Sequence, residues 1–380
     1  MRNVAYELVS ESADEIAVCR PLLPTFDKIA PYLSSIDAQR RYTNHGDLVL
    51  ELQRRLRGTF DLPSNIVAAS CGTAAIAGAI LGSTGRATKR RPLCLLPAYT
   101  FIGTLSAVEL CGFTPYFVDI NPTTWALDPE RCLLHSMIDR VGLVVPVAPY
   151  GRPVAQAGWK EFRDRTCIPV VVDGAAAFAG IVTDPESTLG DIPVAVSFHA
   201  TKAFAAGEGG AVFCNNPDMS MATLQCLNFG YKAGRPGCMS ALNGKMSEYH
   251  AAVALAELDG WASKRAGFHR VAHYYLEAAG RSNIDGQFHL SPSIAPSYTI
   301  FEAATSESAI RIQAALRANH IGYRMWYGSG LHRLPYCSSF DRDTLTQTEN
   351  LSSRLIGLPM SCDMKHKDVS TVVRVVYGCL

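Results

Sequence analysis

Three short segments carry residue types whose spacing could do chemistry. Ser70-Cys71-Gly72-Thr73-Ala74-Ala75 opens a helix-like run, IAGAIL, that stops at Gly82. A turn of small residues at a helix start offers free backbone N–H groups, a hydroxyl and the positive end of the dipole, which together suit an anion. Val171-Val172-Asp173-Gly174-Ala175-Ala176 sets a carboxylate after a β-branched run, where burial is costly unless a cation or donor faces it. Ser197-Phe198-His199-Ala200-Thr201-Lys202, followed by Gly207-Glu208-Gly209-Gly210, sets an amine just past a buried strand. Small apolar surroundings lower a lysine pKa and turn the amine into a nucleophile.

Each segment also has a plainer reading. Thr73 could be the cap of an ordinary helix, Asp173 the cap of the next turn, and Lys202 a solvated surface group. The first segment is neither GxGxxG nor a GK[ST] phosphate loop. What raises the chemical reading is their combination in one chain, with Asp173 and Lys202 29 residues apart, about one strand-helix unit. A cofactor with a phosphate, a basic ring nitrogen and an aldehyde would use all three, and pyridoxal phosphate is such a molecule. The lysine would form a Schiff base, the aspartate would keep the ring nitrogen protonated, and the turn would take the phosphate.

These residues need a scaffold that gathers strand ends. Short β-branched or apolar runs at 93–96 (LCLL), 113–119 (FTPYFVD), 141–147 (VGLVVPV), 169–172 (PVVV), 194–198 and 210–214 alternate with helix-like stretches such as 103–110. Strands without clean polar alternation, separated by helices, predict an α/β fold with a mostly parallel sheet in three layers, whose chemistry sits at the carboxyl ends of the strands. From about Ser247 the texture becomes one long helix. Strand-like runs at 287–290 and 297–302, a helix over 306–319 and a terminal helix from Lys367 follow. This predicts a large domain over residues 1–250 and a smaller C-terminal α+β domain over 251–380. A chain of 380 residues is long enough for two lobes.

Composition narrows the partners. Lys and Arg number 35 against 34 Asp and Glu, and 48% of the residues are apolar. A disordered chain or a protein that wraps nucleic acid would carry a stronger charge bias. The first fifteen residues lack the apolar core of a signal peptide. The longest apolar stretch, 168–182, is broken by Asp173 and is too short to span a bilayer. Twelve scattered cysteines without a CxxC pair predict core thiols, with no metal site, in a soluble, cytoplasmic protein.

The residues resemble the DegT/DnrJ/EryC/StrS-like sugar aminotransferase family, pyridoxal phosphate enzymes of the type I aminotransferase fold. Tyr42-Thr43-Asn44-His45-Gly46 is similar to its TNxGP-like start, SCGTAAI to its SGTxAL, and Pro97-Ala98-Tyr99-Thr100-Phe101 to its PxxTF turn. FTPYFVD, VPVAPYG, Asp173-Gly174-Ala175-Ala176 and SFHATK-x5-EGG follow in the family's order. Asn243-Gly244-Lys245-Met246-Ser247-Glu248, GLHRLP around His332 and Leu358-Pro359-Met360 complete the series. The resemblance implies that Lys202 is the Schiff-base lysine and proton shuttle, and that Asp173 pairs with the ring nitrogen. It further implies that Phe101 stacks on the ring, that Gly72, Thr73 and Ser197 bind the phosphate, and that Asn243 joins them from a neighbouring subunit of a homodimer with shared active sites. Without the family pattern, Phe101 would read as core and Asn243 as a turn residue. The implied reaction moves an amino group from glutamate to a keto group of a nucleotide-linked deoxysugar, with His332, Tyr327 and Lys245 as candidate substrate contacts.

The sequence departs from the family pattern at two places. Ala176 stands where Gln or His is common, and Ala148 replaces the His of the PVHxxG strand end. These leave room for a non-nucleotide cyclic ketone such as a cyclitol as acceptor. A cofactor-binding regulatory protein of the same fold is the alternative of a different class.

Overall fold

The computed structural model describes residues 16–232, 236–280 and 285–380. The N-terminal fifteen residues lie outside them. Seven strands form the main sheet: β1 (Asn65–Ala69), β2 (Leu93–Pro97), β3 (Thr114–Val118), β4 (Val141–Val144), β5 (Val172–Asp173), β6 (Val194–Ser197) and β7 (Gly210–Cys214). The pairings run β3-β2-β4 and β1-β7-β6-β5, and parallel bridges Val144 to Val170 and Val147 to Asp173 join the two groups. The sheet order is therefore β3-β2-β4-β5-β6-β7-β1. Among the seven described strands of this sheet, β7 alone runs against the others.

The strands form because both faces are covered. All five residues of β2 and of β7 are buried, so neither strand has a polar side to turn outward. On one face lies α3 (Gly72–Thr84), buried continuously from Ala74 to Ile80. Its small residues let it come close to its neighbours: a Cβ on Gly78 would lie 2.7 Å from Leu227. Also defined here are α1 (Phe26–Gln39), α2 (Asp47–Thr59) and α4 (Ile102–Leu110).

The predicted elements past residue 90 are present, with shifts at their ends. The strand expected over 141–147 ends its ladder at Val144, since Pro146 has no N–H to give. The run 169–172 becomes a bridge at Val170 followed by β5. Two strands escaped the sequence reading: β1, and β10 (Leu355–Leu358), a four-residue strand interrupted by Gly357. β10 pairs antiparallel with β9 (Thr299–Ala303), which pairs with β8 (Gly286–His289). This small sheet packs on the helix Ser306–Ala318, which in turn contacts the helix His366–Tyr377. The 32-residue helix Glu248–Ala279 contacts α1, α2 and the helix His366–Tyr377. Seven of the twelve cysteines are buried, whereas Cys167 and Cys238 are exposed.

Candidate active site

The carboxyl ends of the central strands converge, as a parallel sheet requires. Asp173 is the last residue of β5 and is 4% exposed. Its Oδ2 accepts a hydrogen bond from Thr104 Oγ1 at 2.6 Å, and its Oδ1 accepts from the Ala175 amide at 3.0 Å. Thr100 Oγ1 lies 2.8 Å from Thr104 Oγ1, which extends the chain to the PAYTF turn. Burial raises the Asp173 pKa above the ordinary carboxylate range, against the opposing effects of Thr104, the Ala175 amide and the Lys202 charge. The carboxylate is thus held in place and short of a cation.

The start of α3 faces the end of β6. A Cβ on Gly72 would lie 2.8 Å from Ser197 Cβ and 3.1 Å from its Oγ. Glycine is required there for helix and strand to approach, and the approach puts the Ser197 hydroxyl beside the first-turn amides of α3. Ser197 Oγ accepts from the His199 amide at 3.2 Å. The cap of α3 differs from the expected one: Cys71, not Thr73, receives the Ala74 amide, at 3.4 Å to Sγ. Thr73 Oγ1 and the Phe101 ring both border the space a Gly103 Cβ would fill, at 3.3 and 3.2 Å. Phe101 is 62% exposed, so it is not a core residue.

Lys202 Nζ donates to Tyr298 Oη at 3.2 Å. Tyr298 belongs to an aromatic cluster with Tyr99, Tyr150, Tyr327 and Trp326. The Tyr99 and Tyr150 hydroxyls meet at 2.7 Å, and the Tyr150 amide donates to Tyr327 Oη at 3.2 Å. Burial pushes the Tyr327 hydroxyl far above its usual pKa, and the nearby Asp173 charge adds to this. The two departures from the family pattern are buried, Ala148 at 3% and Ala176 at 8%.

The remaining candidates lie further out. Asn243 is exposed, and its Oδ1 accepts from Lys245 Nζ at 2.7 Å. Its neighbour Gly244 accepts from the Ser70 amide at 2.7 Å, so this segment runs beside the turn that opens α3. Lys245 is buried over the Phe229 ring, 4.1 Å to its centroid, and burial lowers its pKa. His332 is buried and turns its Nε2 to Glu349 at 3.2 Å, while its Nδ1 is buried without a partner. Burial also holds the His332 pKa below the usual imidazole value. Its neighbour Leu331 ties the segment to the PAYTF turn, the Leu331 amide donating to the Ala98 carbonyl at 2.7 Å.

Sequence reasoning missed Thr104 and Tyr298. Thr104 carries a weak signal, a hydroxyl in the first turn of the helix that follows PAYTF. Tyr298 carries none, being 96 residues from the lysine it touches.

The donor set fits pyridoxal phosphate: a cradle of helix amides and Ser197 closed by Gly72, a buried carboxylate needing a cation, and an amine. Comparison with known proteins agrees. Residues 27–377 match the DegT/DnrJ/EryC1/StrS aminotransferase family. Protein Rv3402c of Mycobacterium tuberculosis is 30% identical over 374 residues, covering 95% of this chain and 89% of that protein. The dTDP-4-amino-4,6-dideoxy-D-glucose transaminase of Shigella dysenteriae is 33% identical over 248 residues, 64% of this chain and 65% of that protein. Among solved structures, DesI in the presence of its TDP-sugar product matches with a TM-score of 0.83 at 26% identity, covering 97% of this chain and 94% of that one. A putative PLP-dependent aminotransferase from Bacillus cereus matches in fold with a TM-score of 0.87 at 24% identity, over 95% of this chain and 99% of that one. This chain belongs to the DegT/DnrJ/EryC1/StrS aminotransferase family and is a pyridoxal phosphate-dependent aminotransferase of the type I fold.

Proposed function

We propose that the enzyme takes an amino group from glutamate and gives it to a keto carbon of a nucleotide-linked deoxysugar, in amino sugar biosynthesis. The observation that carries the chemistry is one arrangement of three groups. Asp173 is buried and donor-held, the Lys202 amine lies within reach of its charge, and the α3 start is packed on Ser197. Pyridoxal phosphate, when bound, supplies a carbonyl to take up the amino group and a ring that accepts electrons from the substrate carbon.

The chain's own residues do the rest. Asp173, fixed by Thr104 and the Ala175 amide, sets a negative charge where a protonated ring nitrogen relieves its burial. Gly72, Thr73 and Ser197 hold the phosphate, with Asn243 of a second subunit completing the cradle. Phe101, exposed at the α4 start, offers a face for ring stacking. Lys202 Nζ moves the proton on the substrate carbon as general base and then general acid. In this reading residues 1–250 hold the cofactor, while Tyr298, Tyr327 and His332 come from the smaller unit, residues 251–380. Tyr327, His332 and Lys245 are the proposed substrate contacts. The buried Lys245 is suited to an anionic group of the donor or of the nucleotide.

The purified protein is expected to show a visible absorption band that glutamate bleaches. Lys202→Ala should lose that band and all transamination while keeping its melting temperature within a few degrees. Turnover retained in that variant would overturn the assignment, and a band indifferent to every amino donor would point to a regulatory role. A second acceptor, a cyclitol-type ketone, is favoured by Ala148 and Ala176, which leave the site walled by tyrosines instead of the family's Gln and His. Assaying nucleotide-linked 3- and 4-keto sugars beside free cyclic ketones separates the two.

A further inference from the structure

The tyrosines around the site do not have equal tasks. Tyr99 and Tyr150 use their hydroxyls on each other, and Tyr327 Oη takes the Tyr150 amide. Tyr298 alone among these four has its hydroxyl on the Lys202 amine, at 3.2 Å. Its ring is 6% exposed and fixed by edge contacts with Tyr150 at 5.6 Å and Trp326 at 5.2 Å. Its amide donates to Ala295 O at 3.0 Å, which anchors the backbone just ahead of β9. The hydroxyl therefore has a fixed position instead of following the lysine.

A phenol can both accept and donate, whereas an ammonium only donates. Facing a lysine that alternates between ammonium and amine, the Tyr298 oxygen accepts in one state and its O–H donates in the other. A carboxylate at that place would serve only the charged form. The other charged or titratable groups around Lys202 are few. Asp173 acts through its charge from β5, and Arg20, Lys264 and the thiols of Cys19 and Cys362 line the small cavity beside the lysine together with Ser297. Lys264 is engaged by Glu257 and by the Leu22 carbonyl, and His199 pairs with Thr201. We infer that Tyr298 is the positioning residue for Lys202, holding its nitrogen in reach of the substrate carbon in both protonation states. This rests on the aminotransferase reading of Lys202.

The test uses Tyr298→Phe, which keeps the ring and removes only the oxygen. In the cofactor-free protein, the rate at which added pyridoxal phosphate develops the visible band is followed against pH, because only an uncharged amine attacks an aldehyde. The bond to a charged donor is the stronger of the two the phenol makes, so its loss should move the profile to lower pH by about one unit. In the loaded enzyme, kcat should fall about tenfold or more with KM for glutamate changed less than about threefold. Tyr99→Phe removes a hydroxyl of the same cluster that does not touch Lys202, and its profile should superimpose on the wild type. A Tyr298→Phe profile and kcat matching the wild type, or equal shifts in both variants, would overturn the inference and leave the aminotransferase reading intact. Absence of any visible band in the wild type would instead sink that reading.

Discussion

Asp173 shows at the level of one residue how function opposes stability. Its pKa is raised in the folded chain by burial. A carboxyl with a raised folded pKa stabilises the fold below its unfolded pKa, and that contribution is lost as pH rises through the folded value. The cofactor-free protein should therefore lose stability from acid toward neutral pH on account of this group, and in the proposed pairing a protonated ring nitrogen would reverse the loss. Asp173→Asn removes the charge, and the Thr104 hydroxyl can reverse, accepting from the new amide and donating to Thr100. We expect cofactor-free Asp173→Asn to melt about 1–3 °C above the wild type at pH 8, with the difference fading near pH 4. Turnover should fall on the order of 100-fold or more, since the ring loses its fixed counter-charge. Calorimetry across pH together with kcat checks both halves, and a variant less stable than wild type at pH 8 would contradict this account.

At the scale of elements, the site depends on how helices are tied to one another. The helix Glu248–Ala279 starts at a Ser247 cap, whose Oγ accepts the His250 amide at 3.2 Å. Its first residue, Glu248, is buried and reaches the start of α2, accepting from the Leu48 and Val49 amides at 2.7 and 3.3 Å. Gly46 makes room for this carboxylate, since a Cβ there would lie 2.4 Å from Glu248 Cδ. One side chain thus caps α2 and links it to the segment carrying Asn243 and Lys245. Glu248→Ala leaves two amides unpaired at a helix N-terminus and should cost about 2–3 kcal/mol in denaturant unfolding. A loss below about 0.5 kcal/mol would mean that water replaces the carboxylate at no cost.

For the whole molecule, the exposed features are informative. Phe101 at 62%, Phe229 at 46% and the stacked pair Tyr42 and Tyr249 at 46% and 47% are large apolar groups open to solvent in one chain. We expect the enzyme to work as a homodimer that covers such groups and shares its active sites. If Asn243 serves the neighbouring subunit, Lys202→Ala and Asn243→Ala carry their defects on opposite sides of each site. Unfolding and refolding the two variants together should then restore about a quarter of wild-type activity, because half the dimers are hybrids with one intact site. No recovery on mixing, with dimers present by sedimentation, would show that each site is built from a single chain. No helix among the described residues is long and apolar enough to cross a membrane.

The strand-end logic was legible because it is local. A β-branched run before Asp173, a small-residue turn before α3 and a lysine just after β6 each announce themselves within a few residues. The same locality explains the misses. β1 and β10 are short runs whose strand character comes from neighbours β7 and β9. Cys71, two residues earlier, replaced Thr73 as the cap, a distinction that side-chain type alone does not resolve. By itself the sequence determined the α/β class and the placing of a small-residue turn, a carboxylate and an amine at strand ends, since each follows from neighbours along the chain. Only the tertiary structure decided that Thr104 holds Asp173, that Tyr298 meets Lys202 and that His332 turns to Glu349. Those contacts join residues 69, 96 and 17 positions apart, and folding alone brings them within hydrogen-bond distance.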